Sequence, residues 1–286
     1  MPDLIIADGA LTARFRPDLG GRLSCLFHKG FGDLVVPMGD EAYDAWCWPK
    51  AGAFPLFPYH GGLSGPGFRY SGREVSVTAN PMLALPMALH GPAQRRPWTA
   101  RILGPSELSM ELLYAADAEW PFPFAATQHF KLGENGILAS FGITNTGNSE
   151  MPAGLGWHPY FKASAGRLVR CDARYTWPRD TRLTPGELRR VTRDSEAEIR
   201  QASDPYFLSQ WSRVEAELDG GARIEITASG SVAHLVVLRT EHYTCIEPVS
   251  HVAGALHYLE NSREDTGIAT LRPGQTMSAT IKLRLT

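Results

Sequence analysis

Glycine and proline interrupt this chain too often for long helices. There are 28 Gly and 21 Pro among 286 residues, about one position in six, spread along the chain rather than clustered. Proline removes a backbone donor and glycine weakens helix interiors, so this punctuation suits many short strands joined by turns. Between the breaks, apolar residues recur with a period of two. In Leu11–Arg16, Leu11, Ala13 and Phe15 alternate with Thr12, Arg14 and Arg16. Arg223–Thr227 and Thr280–Leu285 repeat the pattern. Side chains two apart share a strand face, so each segment has a core side and a solvent side. Leu235–Leu238 and Ile137–Ile143 read as more deeply buried strands, the second running into the turn signal Thr144-Asn-Thr-Gly147. The expected class is all-β. A sheet of this extent must close into a barrel or stack on another sheet to hide its edges, and periodicity alone does not choose between the two.

Composition is that of a folded globular chain, with 43% hydrophobic and 20% charged residues. No fixed-period repeat, low-complexity tract or linker-like break appears, so one domain over residues 1–286 is the economical reading. Glu187–Gln201 is the one stretch with any helical character, and its apolar positions are too few for a stripe, so it reads as loop with a turn of helix at most. The net charge of −2 argues against a nucleic-acid partner, which requires a basic surface. The N-terminus carries no charged leader and apolar core, and no run approaches the ~18 apolar residues of a membrane span. The expectation is a cytoplasmic protein, monomer or homodimer, without a membrane partner. Cys25, Cys47, Cys171 and Cys245 form no CxxC pair or zinc framework and read as reduced thiols.

Three stretches carry candidate chemistry. In Gly156-Trp-His-Pro-Tyr-Phe161, Pro159 biases His158 towards extended backbone, from which it can project into an aromatic cleft. In Tyr243-Thr-Cys-Ile-Glu-Pro-Val-Ser-His251, Glu247 lies in an apolar run, where burial raises a carboxyl pKa towards that of a general base. In Ala88-Leu-His-Gly-Pro92, His90 occupies a tight turn, and Gly91 leaves room for a ligand to approach the backbone. His242, Glu247, His251 and His257 cluster in sequence but lack HExxH or helix-face spacing, so no metal is expected. No P-loop, dinucleotide fingerprint or GxSxG appears, and the run at Gly61–Gly67 reads as a turn.

Taken in order, these stretches resemble the aldose 1-epimerase (galactose mutarotase) family. The resemblance runs from Asp8-Gly-Ala-Leu-Thr through Phe54-Pro-Leu-Phe-Pro-Tyr59, the His-Gly turn at His90, and Met151-Pro-Ala-Gly-Leu-Gly-Trp-His-Pro-Tyr-Phe161. It continues through residues 179–188 and 204–211 to Cys245-Ile-Glu-Pro-Val-Ser-His251 and the closing strand, and so covers nearly the whole chain. It implies a large antiparallel β-sandwich with an open sugar-binding cleft, no cofactor, and interconversion of the α and β anomers of a small-molecule sugar. It further implies that His158 and Glu247 are catalytic and that His90 and Asp204 bind substrate. Glu247 would take the proton of the anomeric hydroxyl while His158, as imidazolium, protonates the ring oxygen, so both must be charged and the rate should peak near neutrality. Trp157, Tyr160, Phe207 and Trp211 are candidate stacking surfaces for the sugar.

One position departs from the family pattern. Gly62 stands where many members carry a sugar-binding Arg, with His60 two positions earlier. That departure keeps a non-catalytic sugar-binding protein open. A hexose-phosphate mutarotase is a second alternative, with Arg95 and Arg96 as the phosphate clamp. A glycoside hydrolase is a third, and would require Asp204 and Glu247 to oppose each other.

Overall fold

The computed structural model describes residues 3–40, 42–65, 67–178, 190–194, 198–202, 204–261 and 264–286. The family-like segment at 179–188 lies outside the described residues. Within 187–201, the described residues hold the two-residue strand Val191–Thr192 and a bridge at Glu198.

The expected strands form where the alternation lies. Leu11–Arg16 buries Leu11, Ala13 and Phe15, and the strands Gly136–Asn145, Arg223–Gly230, His234–Arg239 and Thr276–Leu285 contain the other segments. Among the described residues they assemble into two large antiparallel sheets. One has eight strands, in the order Thr99–Gly104, Glu107–Tyr114, Phe124–Gly133, Gly136–Asn145, Thr276–Leu285, Arg223–Gly230, Arg213–Glu217 and Val169–Cys171. The other has eleven. Its central run is Leu11–Arg16, Arg22–His28, Ala53–Leu56, Gly156–Phe161, Thr244–Val249, His234–Arg239 and Tyr206–Ser209.

The sheets stack face to face, which makes the molecule a sandwich rather than a closed barrel. Their shared core joins Phe15, Leu23, Trp157, Leu235 and Ile246 from one sheet to Phe130, Phe141, Ile226 and Leu283 from the other. Phe15 meets Phe130 at 4.9 Å between ring centres, and Trp157 meets Phe141 at 6.2 Å. Strand parity then places the remaining side chains. In Gly156–Phe161, Trp157 and Phe161 enter the core between the sheets. His158 and Tyr160 therefore stand on the outer face, Tyr160 within a second buried cluster with Trp48, Phe54, Phe207, Val236 and Cys245, and His158 stacked against its Phe54 and Tyr160.

A row of side chains across the outer sheet face

Register sets the candidate site. Phe54 pairs with His158, and Gly156↔Val249 and Tyr160↔Cys245 place His158 opposite Glu247. Val236 follows Glu247, and Phe207 follows Val236. On the other side, the Leu23↔Ala53 pair sets Arg22 beside Phe54. Cross-strand partners share a face, so Arg22, Phe54, His158, Glu247, Val236 and Phe207 form one row across five inter-strand gaps.

At its centre His158 Nε2 lies 3.3 Å from Glu247 Oε1, with both side chains under one-tenth exposed. His158 is held between rings, its centre 4.5 Å from Phe54 and 4.7 Å from Tyr160, both stacked. Its Nδ1 is buried without a partner. Burial raises the Glu247 carboxyl to about 8. Burial also drives His158 well below its ordinary value, and the positive charges of Lys50 and Arg22 add to that. The unliganded pair therefore rests as a neutral carboxyl beside a neutral imidazole. Both shifts favour this neutral pair over the carboxylate and imidazolium that the resemblance implies. Nothing in sequence reveals how completely neighbours strip water from the two groups, and that stripping sets both shifts.

His90 closes one wall of the row, its ring edge-on to His158 at 5.4 Å and near Trp48 at 5.8 Å. Its backbone is left-handed, with φ at 54°. That conformation is fixed at both ends: the His90 N–H donates to the Gly61 carbonyl and the Gly61 N–H donates to His90 Nδ1. Gly91 does not leave space for a ligand, contrary to the expectation, because a β-carbon there would overlap the Phe57 carbonyl. Asp204 is exposed just ahead of Tyr206–Ser209, the strand whose Phe207 ends the row, two strands away from Glu247's strand.

The aromatic candidates divide. Tyr160 and Phe207 belong to the outer cluster, whereas Trp157 and Trp211 belong to the inter-sheet core, Trp211 donating from Nε1 to the His234 carbonyl. Two other rings line the site. Phe54 lies against His158, and Trp48, from the segment between the first strands, packs on Phe54 and donates to the Tyr160 hydroxyl at 3.3 Å. His60 is turned towards His251, whose carbonyl lies 2.5 Å from its Nε2. Arg95 and Arg96 are occupied by acids: Arg95 pairs with Glu119 at 2.6 Å, and Arg96 with Asp117 and Glu119 at 2.6 Å each. They do not form a phosphate clamp.

Cys245 was absent from the sequence-based site. It lies two residues before Glu247 on the same strand face, a spacing that could have placed it there. His158, Cys245 and Glu247 offer donor atoms within 4.8 Å of one another, the arrangement among the described residues that could hold a metal ion. Burial and the adjacent Glu247 hold the thiol well above its ordinary value.

A family profile described as aldose 1-epimerase matches residues 6–284. An uncharacterized protein, YphB, from Escherichia coli K12 is 24% identical over 273 residues, covering 90% of this chain and 91% of its own. A galactose mutarotase-like protein from Clostridium acetobutylicum superposes with a TM-score of 0.84 at 20% identity, over 99% of this chain and 94% of its own. A GalM/aldose epimerase homologue from C. elegans superposes with a TM-score of 0.80 at 17% identity, over 100% and 98%. At these identities the structural likeness establishes the sandwich fold. No described helix is long and apolar enough to cross a membrane.

Proposed function

Because the chain belongs to the aldose 1-epimerase family, we propose that it interconverts the α and β anomers of a sugar at the His158–Glu247 pair. The observation that carries this reading is the 3.3 Å approach of the imidazole and the carboxyl across adjacent strands. Mutarotation needs one group to remove the proton of the anomeric hydroxyl and another to protonate the ring oxygen. The C1–O bond of the ring then breaks to leave an aldehyde, C1–C2 rotates, and the roles reverse on closure.

The resting pair already holds the one proton this chemistry needs. A carboxyl beside a neutral imidazole and a carboxylate beside an imidazolium contain the same number of protons. Transfer from Glu247 to His158 converts the first into the second without exchange with solvent. The sugar's hydroxyls supply hydrogen bonds that burial has taken away, which lowers the cost of the charged form. Glu247 then acts as the base on O1 and His158 as the acid on the ring oxygen. In this reading His90, edge-on to His158, and Asp204, ahead of the strand that ends the row, bind the sugar's hydroxyls.

Polarimetry on freshly dissolved α-anomers tests the reading. Glu247→Gln keeps the shape and hydrogen-bonding capacity of the side chain but cannot accept the proton. Its rate should fall by about 10²–10⁴-fold, the contribution of a positioned acid or base. Equal rates for wild type and Glu247→Gln across a broad sugar panel would overturn it.

A further inference from the structure

Two cations border the reacting row, and neither meets an acid among the described residues. Arg22 begins the row. It is fully buried, with its guanidinium carbon 4.4 Å from the centre of the Phe54 ring that stacks on His158. Its Nη2 donates to Gln94 Oε1 at 2.8 Å and to the Tyr43 hydroxyl at 3.3 Å. Its Nε and Nη1 are buried without partners. Lys50 is exposed, with Nζ 4.8 Å from the centre of the Trp48 ring that packs on Phe54 and His90.

Other arginines in the same fold are treated differently. Arg95 and Arg96 are paired with Glu119 and Asp117, and Arg16 with Asp3 and Asp40. Arg239, equally sealed, gives both terminal nitrogens to the carbonyls of Ile199, Ala165 and Arg167. Arg22 alone among these buries a terminal nitrogen without a partner, and it does so beside the candidate site. A sealed guanidinium with unpaired N–H groups is costly to keep, unless a ligand completes it. The position that matches the family's Arg offers no substitute, because a β-carbon on Gly62 would overlap the Met87 sulfur.

We infer that the sugar taken by this site carries an anionic substituent, a carboxylate or a phosphoester, bound by Arg22 and Lys50 at the end of the row away from Glu247. Arg22 and His158 are two inter-strand spacings apart, about 10 Å. That is the reach of a pyranose with hydrogen bonds at both ends, so the anion can sit at the cations while C1 and the ring oxygen meet His158 and Glu247. The placement of the ring rests on the mutarotase reading; the anion's attraction to the two cations does not.

The test measures anomer exchange by NMR on a neutral hexose, the matching hexuronate and the matching hexose 6-phosphate, with direct binding of each followed alongside. Wild type should process one anionic sugar with kcat/KM about 10²-fold above the neutral hexose, the order expected of charge-assisted hydrogen bonds. Preference for the hexuronate identifies the anion as a carboxylate, and preference for the 6-phosphate identifies it as a phosphoester. Lys50→Met, at an exposed position that folding does not need, should shrink the preference about tenfold. Arg22→Met should abolish it if the variant folds. Equal kcat/KM on all three sugars would overturn the inference while leaving the mutarotase reading intact. An anion preference unchanged in Lys50→Met would overturn it as well. Tight binding of an anionic sugar that weakens in Lys50→Met, with no exchange of any sugar, would support the anion site and remove the mutarotase reading. Neither exchange nor selective binding would overturn both.

Discussion

A carboxyl and an imidazole sealed side by side cannot titrate as they would in water. Glu247 keeps its proton up to about 8, while burial and the neighbouring cations hold His158 neutral until well below 6.5. Between those limits the pair carries one proton, the state that supports acid–base exchange in either direction. Above about pH 8 the carboxyl ionises beside a neutral imidazole, and no acid remains for the ring oxygen. The profile of kcat/KM for the free protein should therefore be flat through neutrality and fall tenfold per pH unit above about 8. The acid limb should lie well below 6.5, where His158 takes a second proton. A rate that instead climbs through pH 4.5 and falls at pH 6.5 would show that both groups titrate as solvated side chains. Both residues were legible in the sequence as candidates, because Glu247 sits in an apolar run and both precede prolines, and the family resemblance joined them as a pair. Its protonation was not, since that depends on Phe54, Tyr160, Trp48 and Arg22, which arrive from distant segments.

Strands were the most readable elements, because alternation is local. Leu11–Arg16 is a strand where period two places it, and Thr280–Leu285 falls within the longer strand Thr276–Leu285. The row itself was less readable. It depends on Phe54, His158 and Glu247 aligning across three strands far apart in sequence, and pairing register of that kind has no local signature. Gly91 illustrates the difference. A Gly after a His in a turn suggests an open approach for ligand, but the space is taken by the Phe57 carbonyl. The glycine instead lets the short strand Met87–Leu89 and the following turn dock against the residues after Ala53–Leu56, with the Gly91 N–H donating to the Tyr59 carbonyl. Gly91→Ala must push that backbone aside, costing about 1–3 kcal/mol of stability in urea unfolding. It should also displace His90 and raise KM for the sugar. Unchanged stability and KM in Gly91→Ala would mean that the turn relaxes without moving His90.

At the scale of the whole molecule, the outer face concentrates histidines that the fold holds neutral. His60, His90, His158, His234 and His251 are all buried. Burial lowers every one of them, His251 to about 4 and His234 to about 3, and His60, His90 and His158 well below 6.5. Once the chain unfolds, each regains an ordinary pKa near 6.5 and takes up a proton below it. The unfolded state therefore binds more protons than the folded state at acid pH, and stability falls as pH drops below 6.5. Each histidine contributes up to about 1.4 kcal/mol per pH unit, so several acting together outweigh any single carboxylate pair on the surface. Glu247 acts with the opposite sign. Its folded pKa of about 8 exceeds the value of 4.5 it would have in the open, so its contribution is complete below 4.5 and is lost as pH rises to about 8. Urea unfolding across pH should accordingly give a maximum near 6.5, a steep loss towards pH 4, and a shallower decline of about 1.4 kcal/mol per unit towards pH 8. Glu247→Gln should flatten the alkaline side and leave the acid side steep. A stability curve level from pH 6.5 to 4.5 would mean that water reaches these histidines in the folded protein.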